Sequence, residues 1–374
     1  MATNAQPGRA YLTGENAAQA DVDQPWEQDN QAWWDWYVSL AADDGEIGRR
    51  RDPAASAEAD RRLAQELRDD AVASDREIAL ELERPYPLSD DQRTFFRANG
   101  FIKLPQVLSR PVVRRLRAEM ARCFRETFAV DPDAGATDRF LSVEMAWLDN
   151  PILRAFVLSP RIARLSAELL GVDAVRLYHD NLLAKQPGCG RTPWHYDRHH
   201  FPLATDDIVT AWIPAQSIPT AMGPLAFAGP IDAHRVVDDI AFDKFGTSYD
   251  RRVEAAFRRE DSGIRVDDAA FELGDVSFHH NLCFHSAGSN RTRFSRMALA
   301  NTYFVDGARV VDEPTMVSGD WRKFMPGVEP GEVVCSDLNP ICWSRDEPGP
   351  KRSERESVSM KAVGGNRRRP PTKA

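Results

Sequence analysis

Apolar positions change their period near residue 174. Upstream they recur at helical spacing. Val112, Leu116, Met120, Phe124 and Phe128 stand four apart and predict a helix that starts at Ser109 and buries one face. Ser89-Asp90-Asp91-Gln92 has the pattern of a capping box for a shorter helix, which Asn99-Gly100 ends. Phe101-Ile102-Lys103-Leu104 then reads as a strand. Downstream the period is two, with strands predicted at 174–185, 207–213, 225–228, 275–280 and 296–305. Turns at Gln186-Pro187-Gly188, Gly223-Pro224, Gly229-Pro230 and Gly288 separate them. Many short strands with such punctuation predict a β-sandwich or barrel. There is no βαβ alternation, no glycine-rich phosphate loop and no internal repeat.

The N-terminal part reads differently. Residues 1–22 form a polar leader. Trp26, Trp33, Trp36, Tyr37 and Leu40 then fall near helical spacing, which predicts a helix docked on the main domain or lying over a substrate as a lid. Residues 42–84 are charge-rich, with Leu63, Leu67, Ile78 and Leu82 thinly spread, and suggest exposed helices or a linker. Pro85-Tyr86-Pro87 breaks them. The resulting division is a flexible leader (1–22), a helical extension (23–87), a main domain (88–349) and a disordered basic tail (350–374). Residues 232–268 are a long charged insertion between strands, the kind of segment that carries substrate contacts.

Composition narrows the function. Hydrophobic residues make up 42% of 374, enough for a sizeable core. A net charge of -9, without a basic stripe through the middle, argues against nucleic acid as a partner. No apolar run is long enough to span a bilayer, and the first 25 residues hold no signal-peptide core. The five cysteines are scattered, with no Cys-x-x-Cys pair. That disfavours a disulfide framework or a thiolate zinc site and suits a reducing cytoplasm. Nothing in the sequence sets the oligomeric state.

All eight histidines lie between positions 179 and 285. In Pro193-Trp194-His195-Tyr196-Asp197, the histidine and aspartate are two apart. On a strand that spacing turns both side chains to one face, so both can reach one ion. Two histidines and a carboxylate on one side of a metal leave the other side open, as Fe(II) oxygen chemistry requires. His195 and His199 are four apart, as on a zinc-binding helix, but Pro193 and Pro202 bracket them and no glutamate base accompanies them.

Four blocks, in order, resemble the phytanoyl-CoA dioxygenase family of Fe(II)/2-oxoglutarate oxygenases. They are Tyr178-His179-Asp180-Asn181-Leu182-Leu183-Ala184-Lys185; Trp194-His195-Tyr196-Asp197; Thr210-Ala211-Trp212-Ile213-Pro214 with Gly223-Pro224-Leu225; and 274–300, from Gly274-Asp275 through His285 to Arg296. The resemblance spans roughly residues 88–345. It implies a mainly β fold with flanking helices, a double-stranded β-helix (jelly roll, cupin-like) core behind an α-helical N-terminal extension. It implies His195, Asp197 and His285 as iron ligands and Arg296 as the grip on the far carboxylate of 2-oxoglutarate. A guanidinium fork matches that carboxylate, and an unpaired charge at the head of an apolar strand would be costly. Trp212, Asn181 and Lys185 are further cosubstrate candidates. Where the family often has a serine two residues after the distal histidine, this chain has Ala287, and Ser286 is the available substitute. His279 and His280 compete with His285 for the distal role, and the spacing to Arg296 favours His285. The implied reaction consumes 2-oxoglutarate and O₂ with Fe(II), releases succinate and CO₂, and hydroxylates or otherwise oxidises a small metabolite of a specialised pathway. Arg198, His199, Phe201, Met145, Trp147 and His234 are the substrate-contact candidates. An inactive binding protein on the same fold, or a zinc hydrolase, are the rival readings.

Overall fold

The structure is a computed structural model that describes residues 31, 34, 35, 53–68, 71–133, 138–240, 248–314 and 321–346. Helices α1 (Pro53–Glu66), α2 (Asp75–Glu83) and α3 (Asp90–Asn99) precede strand β1 (Phe101–Leu104) and the long helix α4 (Arg110–Phe128). Strand β2 (Phe140–Glu144) and helices α5 (Pro151–Val157) and α6 (Pro160–Leu170) follow. Then come β3 (Ala174–Lys185), β4 (Thr192–His195), β5 (Ile208–Pro214), β6 (Leu225–Gly229), α7 (Tyr249–Phe257), β7 (Arg265–Asp267), β8 (Val276–His280), β9 (Phe284–Ala287), β10 (Arg296–Val305) and β11 (Ile341–Ser344).

Local chemistry sets the helix ends. Ser89 caps α3, its side chain accepting from the Gln92 amide while Gln92 reaches back, and Gly100 closes the helix at φ 76°. Ser74 and Glu77 make the same reciprocal pair at α2. Within 42–84, the described residues 53–68 and 71–84 hold more structure than their charge suggests. Leu63 of α1, and Ile78 and Leu82 of α2, are buried, because these few apolar residues all fall on inward faces.

The strands form two antiparallel sheets. The larger runs β1-β8-β5-β10-β3-β11, with β2 also pairing β3, and the smaller runs β4-β9-β6-β7. The sheets face each other, as the stacking of Phe101 (β1) on Phe227 (β6) at 4.9 Å shows. This is the two-sheet barrel that the resemblance implied.

Alternation gives the large sheet two unlike faces. Leu182 and Ala184 of β3, Val209, Ala211 and Ile213 of β5, and Met297 and Leu299 of β10 join one apolar core with the apolar sides of α2–α6. That core includes the Val112–Phe124 stripe of α4. The in-between residues look into the barrel and many are polar: Asn181, Thr210, Arg296 and Thr302 all line its cavity. The largest apolar core therefore lies on the helix side, and a smaller one with Phe101, Trp212 and Phe227 lies between the sheets beside the polar cavity.

Candidate metal centre

His195 is the last residue of β4, and Asp197 opens the short 3₁₀ turn after it. The pair does not lie on one strand, as the spacing alone suggested. The pairing of β4 with β9 shifts register between Thr192 and His195, and after His195 the chain turns. His285 lies on β9 directly opposite His195. Ligand atoms of His195, Asp197 and His285 all lie within 4.8 Å of one another. Asp197 Oδ1 is 3.7 Å from His195 Nε2 and 3.8 Å from His285 Nε2.

The tautomers follow from the backbone. His195 Nδ1 lies 2.8 Å from the Pro193 carbonyl oxygen and His285 Nδ1 lies 3.0 Å from that of Cys283. A carbonyl only accepts, so each Nδ1 carries the proton and each Nε2 keeps its lone pair toward Asp197. Burial pushes both imidazoles below their ordinary pKa and keeps them neutral. Burial alone would raise the Asp197 carboxyl; His285, His279 and His195 outweigh that, since any proton the cluster takes up sits on nitrogen, and hold the carboxyl well below the usual range. Two neutral imidazoles and one carboxylate form the donor set that suits ferrous iron with positions to spare. The backbone carbonyls supply the orienting contacts that metal-binding histidines need.

The triad lines a cavity of about 130 Å³. Arg296 heads β10 at one end, buried. Its Nη1 donates to the Gly223 carbonyl at 2.7 Å, its Nε has no partner, and its guanidinium lies 5.4 Å from the Trp212 ring. Burial pushes it down to about 10, so it stays charged at neutral pH. Gly223 is indispensable here. At φ +74°, a Cβ on it would meet the Gly288 carbonyl oxygen at 2.1 Å. The same Gly288 carbonyl accepts from Lys185 Nζ at 2.9 Å.

Among the cosubstrate candidates, Trp212 and Asn181 line the cavity, and Asn181 Oδ1 accepts from Ser142 Oγ at 2.7 Å. Lys185 is wholly buried beside Arg296 in register but does not line the cavity. Ser286 borders both this cavity and a larger groove lined by Trp194 and Phe257. Strand alternation sets its side chain opposite to those of His285 and Ala287.

Of the substrate-contact candidates, only Phe201 lines the cavity. Arg198 is tied to Asp206 at 2.8 Å and to the Phe201 carbonyl at 3.0 Å. His199 Nε2 pairs with the Tyr196 hydroxyl at 3.0 Å, so it stands apart from the triad and the zinc-helix spacing has no helix beneath it. His234 lies against the Tyr196 ring, Trp147 packs in the helix-side core, and Met145 packs beside the Tyr178–Phe324 cluster. The end of the cavity away from Arg296 is made instead by His179, His200, Glu144 and Phe324, while Trp34 lines it beside Phe140, which pairs with Lys185. Strand alternation could have found His179, since it shares a face with Asn181. Phe324 comes from a C-terminal turn and carries no local signal. Residues 31, 34 and 35 are helical, and Trp34 stacks on Phe140 of β2 at 4.4 Å. Gln31 accepts from the Ser142 amide at 3.0 Å. The residues expected to bury one face of that helix, Trp26, Trp33, Trp36, Tyr37 and Leu40, lie outside the described residues.

Imidazoles and a carboxylate gathered at one cavity of a two-sheet barrel, with a buried guanidinium that makes no carboxylate pair among the described residues, accord with the non-haem iron oxygenases that use 2-oxoglutarate. This chain belongs to the phytanoyl-CoA dioxygenase (PhyH) family, whose model matches residues 96–298. It is 25% identical to the mouse peroxisomal phytanoyl-CoA dioxygenase over 247 residues, 60% of this chain and 71% of that protein. The rat enzyme is 26% identical over 238 residues, 58% of this chain and 68% of its own length. Among solved structures, the non-haem α-ketoglutarate-dependent carbocyclase SnoK of nogalamycin biosynthesis superposes with TM-score 0.55 at 23% identity, covering 69% of this chain and all but 1% of its own. The epimerase SnoN of the same pathway gives 0.51 at 23%, over 67% and 96%. Among the described residues, no helix is long and apolar enough to cross a membrane.

Proposed function

We propose that His195, Asp197 and His285 hold Fe(II), that Arg296 with Trp212 and Asn181 takes 2-oxoglutarate, and that a small metabolite occupies the His179–Phe324 end. The observation that carries this reading is Arg296. A buried guanidinium shares a cavity with the triad and makes no carboxylate pair among the described residues. The far carboxylate of a keto-diacid is the partner it lacks.

Iron with 2-oxoglutarate and O₂ supplies an oxidant able to break a C–H bond. The protein's own work is placement and exclusion. Arg296 and Thr302 stand six residues apart on β10, about 20 Å at strand rise, so cosubstrate and substrate enter opposite ends of one trough. Phe201 and Phe324 wall the substrate end with apolar rings and keep water from the reacting atoms. His179 donates its Nδ1 proton to the Asp180 carbonyl at 3.2 Å and stacks on Phe324 at 4.4 Å, leaving Nε2 as an acceptor for a substrate hydroxyl or amine. Net, a C–H bond becomes C–OH while 2-oxoglutarate and O₂ become succinate and CO₂.

Among the described residues that line this cavity, Arg296 is the one cation. That supports an uncharged metabolite over an acyl-CoA. The nogalamycin enzymes on this fold support a role in a specialised pathway, and five cysteines without a disulfide support a cytoplasmic location. The test is succinate release from 2-oxoglutarate under O₂ and Fe(II), with oxygen uptake followed in parallel. Wild type should turn over, with substrate or slowly without it, and His195→Ala should not. Equal rates in the two would remove the reading.

A further inference from the structure

The two oxygens of the Asp197 carboxylate have different neighbours. Oδ1 faces His195 Nε2 and His285 Nε2, whereas Oδ2 faces His279 Nε2 at 3.4 Å. His279 comes from the other sheet. Its strand, β8, is paired on both sides, His279 standing opposite Phe101 of β1 and Thr210 of β5. The ring is almost wholly buried, 4.5 Å from the His285 ring and 5.7 Å from Phe227. Its Nδ1 has no partner. An imidazole buried this deeply, with one nitrogen unsatisfied, is a costly choice where an apolar ring would pack as well. Its neighbour His280 shows the ordinary alternative: His280 Nδ1 accepts from the Leu282 amide and closes the β8–β9 turn.

We infer that His279 is a positioning residue that holds Asp197 Oδ2, so that the carboxylate offers the metal Oδ1 alone. Asp197 needs such a brace because it stands on a 3₁₀ turn, not on a strand. The turn's backbone is already anchored, Arg198 N donating to the Asn281 carbonyl at 3.0 Å, but that bond leaves the carboxylate free to rotate. A carboxylate gripping an ion through both oxygens takes one position more. A proton on His279 Nε2 would engage Oδ2 and leave one carboxylate oxygen of Asp197 for an ion that His195 and His285 would also hold.

This inference rests on the iron reading above, and the experiment separates the two. Anaerobic titrations with Fe(II) alone, and with Co(II) alone as a spectroscopic probe, are run on wild type, His279→Phe, His279→Gln and His285→Ala. Apo-protein melting is measured alongside. Wild type should bind and His285→Ala should not; failure of that contrast sinks the iron reading itself. His279→Phe keeps the ring packing and removes the donor. It should bind metal about 10–100-fold more weakly, as loss of an outer partner does, and shift the Co(II) visible bands. Gln can put an N–H near the place of Nε2 and should recover most of the affinity and the wild-type bands. Should Phe not fold, His279→Leu takes its place in the comparison with Gln. Wild-type affinity and spectrum in His279→Phe would overturn the assignment. So would losses in both the Phe and Gln variants as large as that of His285→Ala, which would make His279 a ligand.

Discussion

Replacing Arg296 with methionine should move stability and cosubstrate binding in opposite directions. Burial lowers the guanidinium from its ordinary 12.5 to about 10, and at roughly 1.4 kcal/mol per pKa unit the apo protein bears a cost of about 3 kcal/mol. The hydrogen bond to the Gly223 carbonyl returns about 1–1.5 kcal/mol of that. Methionine is of similar length, has no charge to desolvate and packs against Trp212. Apo Arg296→Met should therefore be more stable by about 1–2 kcal/mol, a rise in melting temperature of about 2–4 °C. The same change removes two charge-assisted bonds to the far carboxylate, each worth about 1.5–3 kcal/mol. The 2-oxoglutarate dissociation constant should rise at least about 100-fold. Calorimetric melting of apo protein and anaerobic titration of the Fe(II)-loaded protein with 2-oxoglutarate measure the two quantities. A variant that melts lower and binds 2-oxoglutarate normally would show that Arg296 is a structural residue already satisfied by Gly223.

Three further outcomes follow from single contacts. The Asp180 carboxyl, wholly buried behind β3 and accepting from the Ala146 amide at 3.1 Å, is raised to about 7 by burial. A raised carboxyl favours folding at low pH and loses that contribution as pH climbs toward its folded value, so between pH 5 and 8 wild type should lose about 3 kcal/mol that Asp180→Asn does not; parallel denaturation curves at the two pH values check it, and parallel slopes would contradict it. Ala287→Ser restores a hydroxyl on the cavity face of β9, and one neutral hydrogen bond should lower the KM for 2-oxoglutarate about 2–10-fold with kcat little changed. Gly223→Ala drives a methyl into the Gly288 carbonyl and should both destabilise the protein by about 2 kcal/mol or more and weaken 2-oxoglutarate binding, because that loop carries the carbonyl that aims Arg296; unchanged melting would refute the close approach.

What the sequence disclosed depends on how local the cause was. β3 and β10 were legible to the residue, since a long run of period two leaves no other reading. The cap and stop of α3 were legible because they are side-chain chemistry within one turn. β9 was not, as four residues between turns show no period. The same gap explains the doubt over His279 and His285. The hairpin sends β8 to one sheet and β9 to the other, so both imidazoles face the cavity from opposite walls, which spacing along the chain cannot express. Arg198 and His199 looked exposed to substrate because they follow the metal pair in sequence. Asp206 and Tyr196, which hold them, are partners supplied by the folded loop. Residues 42–84 read as exposed helices or a linker because charge dominates their composition, although Leu63, Ile78 and Leu82 join the apolar clusters.

Trp34 and Phe324 reach the cavity from outside residues 96–298, the stretch shared with the family, while His195, Asp197, His285 and Arg296 lie within it. Two side chains of the cavity wall thus come from stretches that the family model does not span, while Glu144, His179, His200 and Phe201 of the same wall lie within it. Kin that differ upstream and downstream of that stretch can keep the same furnace and change part of its door, so the family name tells more about how this protein oxidises than about what.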